Sequence, residues 1–219
     1  MDIKILEGVF DANEKIAREN EALLRENGVM AMNLMASPGA GKTSLIANTL
    51  GLLKEKLRIG VIEGDIASSI DAEKLKSYKI PVVQINTGGA CHLDAIMIQQ
   101  ALEHVDLGAL DLLIIENVGN LVCPAEFKLG ESFRTMILSV AEGHDKPLKY
   151  PLMFSDSDVL VVNKTDLIGL GDFDMAELRE TVTRMNPGII IFEVSCRIGD
   201  GLQAWVDWLY EKVKGSADK

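Results

Sequence analysis

Short, unbroken apolar runs alternate along this chain with stretches whose apolar residues recur every three or four positions. The runs V-M-A-M-N-L-M-A (29–36), I-G-V-I-E (59–63), P-V-V-Q-I-N (81–86), L-L-I-I-E-N-V (112–118), V-L-V-V-N (159–163) and I-I-I-F-E-V (189–194) predict strands, with T-M-I-L-S-V (135–140) as a further one. Helical spacing predicts helices over 8–27, 43–56, 71–78, 92–105, 174–186 and 201–214. The first places Val9, Phe10, Ile16, Ala17, Leu23 and Leu24 on its apolar face and stops at Gly28. Continuous apolar strands separated by helices predict an α/β fold, a mostly parallel central sheet flanked by helices on both faces. The expected organisation is one domain over 29–219, with the amphipathic helix of 1–28 packed on it. Such sheets bind ligands beyond the carboxyl ends of their strands. The polar residues that stand out here do follow strands.

Composition narrows the partners. Hydrophobic residues make up 47% and charged residues 25% of the 219, an ordinary globular balance. The net charge of −11 argues against nucleic acid, so any bound polyphosphate has to be held by local geometry. No apolar run reaches the roughly 20 residues needed to span a bilayer, so no membrane is expected. The N-terminus lacks a basic region followed by an apolar stretch. Cys91, Cys123 and Cys196 are too few for a disulfide framework, so free thiols and a cytoplasmic location are expected.

Residues 36–43 read A-S-P-G-A-G-K-T between a strand and a helical segment. This is the Walker A pattern with Ala36 at its first place. Gly39 and Gly41 would let backbone N–H groups surround phosphate oxygens at the start of a helix, with Pro38 and Ala40 lining the same loop. Lys42 would reach the β- and γ-phosphates, the Thr43 hydroxyl would ligate Mg²⁺, and Ser44 would close the loop. N-K-T-D (163–166) ends a later strand. Read alone it is a common polar turn. Downstream of a phosphate loop, it makes Asp166 the acceptor for guanine N1–H and the exocyclic amine, which adenine cannot supply; GTP is the nucleotide expected. Asn163 would tie base to phosphate loop, and the Lys164 stem would lie along the ring. V-S-C-R-I-G (194–199) stands where GTPases direct a backbone amide at the guanine oxygen, with Ser195 and Cys196 the residues expected there.

I-E-N-V-G-N (115–120) supplies Glu116 as the acid ending a buried strand and holding Mg²⁺, and Gly119 as a backbone donor to the γ-phosphate. Asp65 of E-G-D-I is the candidate for orienting the attacking water, with Asp71 second. No arginine is marked as a transition-state finger; Arg134 and Lys149 are the cations to consider, and slow turnover is expected.

Cys91 and His92 in G-G-A-C-H-L-D-A, with Cys123 four residues beyond Gly119, offer soft donors suited to Zn²⁺, Ni²⁺ or Cu ions. From spacing alone, cysteines that merely pack in the core are the commoner outcome. Three donors leave a tetrahedral site open, to be closed by water or by a two-fold partner.

Together S-P-G-A-G-K-T, E-G-D-I, T-G-G-A-C-H-L-D-A, I-E-N-V-G-N-L-V-C-P-A-E-F, K-Y-P-L-M-F and N-K-T-D resemble the nickel-incorporation GTPases that help mature nickel–iron hydrogenases, the HypB family. The resemblance spans nearly the whole chain. It implies a P-loop GTPase that forms a GTP-dependent homodimer and binds nickel or zinc at the subunit interface through Cys91, His92 and Cys123. It also implies a small zinc-containing partner of the HypA type and a hydrogenase large subunit as recipient. Some members carry an N-terminal C-x-x-C-G-C motif or a histidine-rich stretch; this chain begins M-D-I-K-I-L-E-G-V-F, so tight nickel capture there is not expected. Alternatives are a urease-type accessory GTPase, a metal-binding protein whose nucleotide site only stabilises a dimer, and a signalling GTPase whose cysteines only pack.

Overall fold

The computed structural model describes residues 9–65, 75 and 77–217, apart from the side chains of residues 9, 10, 65, 216 and 217. Its seven strands are β1 (Met30–Ala36), β2 (Ile59–Asp65), β3 (Val82–Asn86), β4 (Leu112–Glu116), β5 (Phe133–Ser139), β6 (Val159–Asn163) and β7 (Ile190–Glu193). They form one sheet in the order β3-β2-β4-β1-β5-β6-β7, and every neighbouring pair is parallel. Each expected strand is present, and the further one forms as β5. The strand expected to reach 118 stops at Glu116, leaving Asn117 to bond with its side chain. The helix expected over 71–78 lies largely outside the described residues.

Alternation along β1 divides the core. Met32, Leu34 and Ala36 point to the face covered by α2 (Lys42–Leu53) and α8 (Leu202–Ala217). There the fully buried Trp205 donates its indole N–H to Thr49 Oγ1 at 3.0 Å, joining the two helices. Ala31 and Met35 point to the opposite face, into two separate apolar clusters. One is closed by α1 (Val9–Glu26) and α3 (Ala95–Leu102); the other by α4 (Cys123–Glu126), α6 (Pro151–Ser155) and α7 (Met175–Met185). One further short helix, α5 (Lys146–Lys149), precedes α6.

Two expectations change. The inward face of α1 is Asn13, Ala17, Asn20 and Leu24, whereas Leu23 is 40% exposed. Asn13 accepts from Ala95 N–H and donates to Lys128 O, both at 2.8 Å. Asn20 donates to Ala95 O at 2.8 Å and Leu129 O at 2.9 Å, so hydrogen bonds rather than apolar contact seat much of this face. The helix expected from 92 begins at Ala95, because Asp94 caps it by accepting from Met97 N–H at 2.8 Å. Cys91 and His92 therefore lie on a loop.

Candidate functional site

The loops after β1, β4 and β6 and the segment after β7 enclose a cleft of about 740 Å³ at the carboxyl ends of the strands. β1 feeds the phosphate loop directly. Gly41, with φ 109°, caps α2, so Lys42 and Thr43 open that helix at its positive end. Ser37 donates to Glu142, fixing the start of the loop. Thr43 Oγ1 donates to Glu116 Oε1 at 3.0 Å, bringing the two expected Mg²⁺ ligands together.

Asn163 joins three loops. Its amide donates to Ala40 O at 2.9 Å, and its Oδ1 accepts from Lys164 N–H at 2.8 Å and Cys196 N–H at 3.1 Å. Lys164 takes a left-handed backbone (φ 63°) and its Nζ donates to Gly39 O at 2.7 Å, so its stem crosses the cleft. Asp166 Oδ1 accepts from Ser195 Oγ at 2.6 Å, and Arg197 lies 3.5 Å from Oδ2. The Ser195 hydroxyl, and secondarily Arg197, hold the Asp166 carboxyl below its ordinary range and therefore ionised. The Ser195 and Cys196 amides, expected at the base, are engaged within the protein, by Asp200 O at 2.9 Å and by Asn163. The Ser195 side chain bonds Asp166 through its hydroxyl.

Gly119 lies against the phosphate loop. A Cβ there would meet Pro38 N and Cα at 3.1 Å, so a side chain would press on the phosphate loop that glycine lets the segment after β4 approach. Glu63, which the sequence reading passed over, lines the cleft on β2 in register with Glu116 and is equally buried. A glutamate two residues before a strand end was the available signal. Asp65 ends β2, but its side chain and all of Asp71 lie outside the described residues. Arg134 is buried among Glu131, Asp156 and Asp158, and Lys149 pairs with Asp145 on the surface. Neither lines the cleft.

Cys91, His92 and Cys123 come together on one rim. Cys91 Sγ stands 3.0 Å from Cys123 Sγ and 3.5 Å from His92 Nδ1, and one donor atom from each residue lies within 4.8 Å of the others. The His92 ring stacks on Phe127 at 3.9 Å, and burial there depresses its pKa, favouring the neutral imidazole that metals require. Asn120 spans the rim, donating to Cys91 O at 3.3 Å and accepting from Val122 N–H at 2.9 Å. Asn120 and Phe127 lie within the I-E-N-V-G-N-L-V-C-P-A-E-F motif, but the sequence did not mark them individually.

Cys196 sits apart, beside Asn163, with its thiol pushed up to about 11 by burial. The neutral thiol is the favoured form below that value, and it is lost only as pH rises through it. Alkylation of Cys196 in the folded protein should therefore accelerate about tenfold per pH unit from 8 to 10. Peptide mass spectrometry after a timed iodoacetamide pulse measures this; a rate already flat above pH 9 would contradict the buried-thiol account.

Residues 30–193 match the family described as CobW/HypB/UreG, nucleotide-binding domain. The chain is 45% identical to the hydrogenase maturation factor HypB of Azotobacter vinelandii, over 98% of this chain and 70% of that one. Its fold superposes on the crystal structure of HypB from Helicobacter pylori in complex with nickel with a TM-score of 0.89, at 35% identity and over 94% and 97% of the two chains. For the hydrogenase maturation factor HypB of Archaeoglobus fulgidus the TM-score is 0.87, at 37% identity over 93% and 99%.

Proposed function

The chain belongs to the HypB group of the CobW/HypB/UreG nucleotide-binding family, and on that footing we propose that it is a slow GTPase whose nucleotide state and homodimerisation govern the binding and delivery of nickel, or zinc, for hydrogenase maturation. One observation carries this reading. The segment after β4 touches the phosphate loop at Gly119 and, four residues on, brings Cys123 to 3.0 Å from Cys91. A contact made to a γ-phosphate and lost on hydrolysis therefore acts on a metal donor through very little chain.

In this reading Lys42 and the amides of residues 39–44 hold the β- and γ-phosphates, and Gly119 N–H reports the third. Thr43 and Glu116 are hard oxygen donors fit for Mg²⁺, which when bound neutralises phosphate charge. Asp65, Glu63 or Asp71 orients water. Asp166, set by Ser195, reads guanine, while Asn163, Lys164 and Cys196 frame the base. Slow turnover is consistent with the burial of Arg134 and with the pairing of Arg197, which lines the cleft, to Asp166 rather than to the phosphate loop. Two thiols and a neutral imidazole suit Ni²⁺ or Zn²⁺, and a second copy contributing the same three residues closes the shell.

The relatives' role as hydrogenase maturation factors supports a hydrogenase large subunit as recipient and a small zinc-containing HypA-type protein as co-chaperone, in the cytoplasm. The test is a Ni²⁺ titration in GDP and then in a non-hydrolysable GTP analogue, with sedimentation to read the dimer fraction. The analogue should raise both metal affinity and dimer fraction, and by linkage Ni²⁺ should shift nucleotide affinity by the same factor. Identical isotherms and an unchanged monomer would refute it.

A further inference from the structure

Between the two apolar clusters on the α1 face runs a buried polar chain. Asn117, fully buried just past β4, accepts on Oδ1 from Leu93 N–H at 3.1 Å and from Val118 N–H at 2.9 Å. Its amide donates to Asn33 Oδ1 at 3.2 Å, and Asn33 donates in turn to Glu131 Oε1 at 3.2 Å. Arg134 Nε donates to that same oxygen at 2.6 Å, while its guanidinium donates to Ala125 O and Phe127 O at 3.0 Å each. One end of the chain is the residue after His92. The other holds the turn that follows Cys123 and carries the ring stacked on His92. Its middle is β1, which leads into the phosphate loop.

We propose that Asn117 is a positioning residue that carries the position of the strand end bearing Glu116 and Gly119 to the loop bearing Cys91 and His92. A single oxygen accepts from both segments, so a shift of the peptide at Val118 is passed to Leu93 by a rigid amide. That amide cannot turn away without orphaning buried donors, because Asn33 holds its other side. A further hydrogen bond between the segments, Asn120 to Cys91 O, is exposed, where water competes for both partners. The buried Asn117 bridge is therefore stiffer than that one. Arg134 completes the arrangement by holding Ala125 and Phe127, beyond Cys123, against the same strands, so that motion at Gly119 and Leu93 alters the spacing of the donors instead of dragging the whole rim together.

This inference rests on the coupling proposed above and names the residue that transmits it. The test titrates Ni²⁺ into wild type and Asn117→Ala, each with GDP and with the non-hydrolysable analogue, and follows amide exchange at Leu93 in the metal-free proteins. Wild-type affinities should differ at least about tenfold between the nucleotides. In Asn117→Ala the two should converge to within about twofold, and Leu93 exchange should accelerate at least about tenfold. Retention of the wild-type ratio, or unchanged Leu93 exchange, overturns the inference and leaves the proposed function standing. A wild type with identical isotherms overturns both. Should Asn117→Ala lack a cooperative thermal transition, Asn33→Ala decides the matter: a ratio reduced at least about threefold supports the role, and an unchanged ratio overturns it.

Discussion

Gly41→Ala should cost at least about a hundredfold in guanine-nucleotide affinity, far beyond the usual effect of one added methyl group. Gly41 has φ 109°, a backbone that alanine adopts only at a cost of about 1–3 kcal/mol. The larger effect is steric. The new Cβ would lie 2.3 Å from Asn163 Nδ2, so the amide must leave its place. That amide holds Ala40 O, and the same side chain accepts from Lys164 and Cys196. One methyl therefore displaces the side chain on which the phosphate loop, the N-K-T-D turn and the segment after β7 converge. The strands themselves are untouched, so circular dichroism should keep its native form while the thermal midpoint falls by several degrees. Calorimetric GDP binding within about threefold of wild type would show that Asn163 is not the junction described here.

Asp166→Ala should reduce the preference for GDP over ADP at least about a hundredfold, from a starting discrimination on the order of 10⁴. The preference arises because an ionised carboxylate only accepts hydrogen bonds. Guanine offers N1–H and an amine on one edge; adenine offers an unprotonated N1 and would leave a charged group unpaired. The Ser195 hydroxyl at 2.6 Å keeps the carboxyl ionised and aimed. Asp166→Asn makes the sharper version of the test. Its amide donates, so the favoured base should become xanthine, whose C2 carbonyl accepts. Competition among GDP, XDP and ADP reads both variants. A guanine preference that survives in Asp166→Asn would assign base selection elsewhere in the cleft.

The α/β architecture was legible because its signals are local. Unbroken apolar strands, a glycine-rich turn before a helix and N-K-T-D at a strand end each need only neighbouring residues to make physical sense. The phosphate-loop motif, N-K-T-D and the thiol–imidazole pair were legible as motifs for the same reason. Periodicity placed α1 and its buried Ala17 and Leu24 but missed part of its inward face, where asparagines satisfy backbone groups of α3 and of residues 128–129. A polar residue at a core position cannot be told from a surface one until its partner is known.

The chain by itself determined which donors exist and in what order: a phosphate loop, soft donors, an acid with a glycine three residues on, and the carboxylate of N-K-T-D. Only the tertiary structure decided their distances. It set Cys91 against Cys123, laid Gly119 on Pro38, buried Arg134 away from the phosphates, and threaded Asn33, Asn117 and Glu131 between two apolar clusters. Such contacts join segments remote in sequence, and their strength depends on burial, which no local pattern encodes.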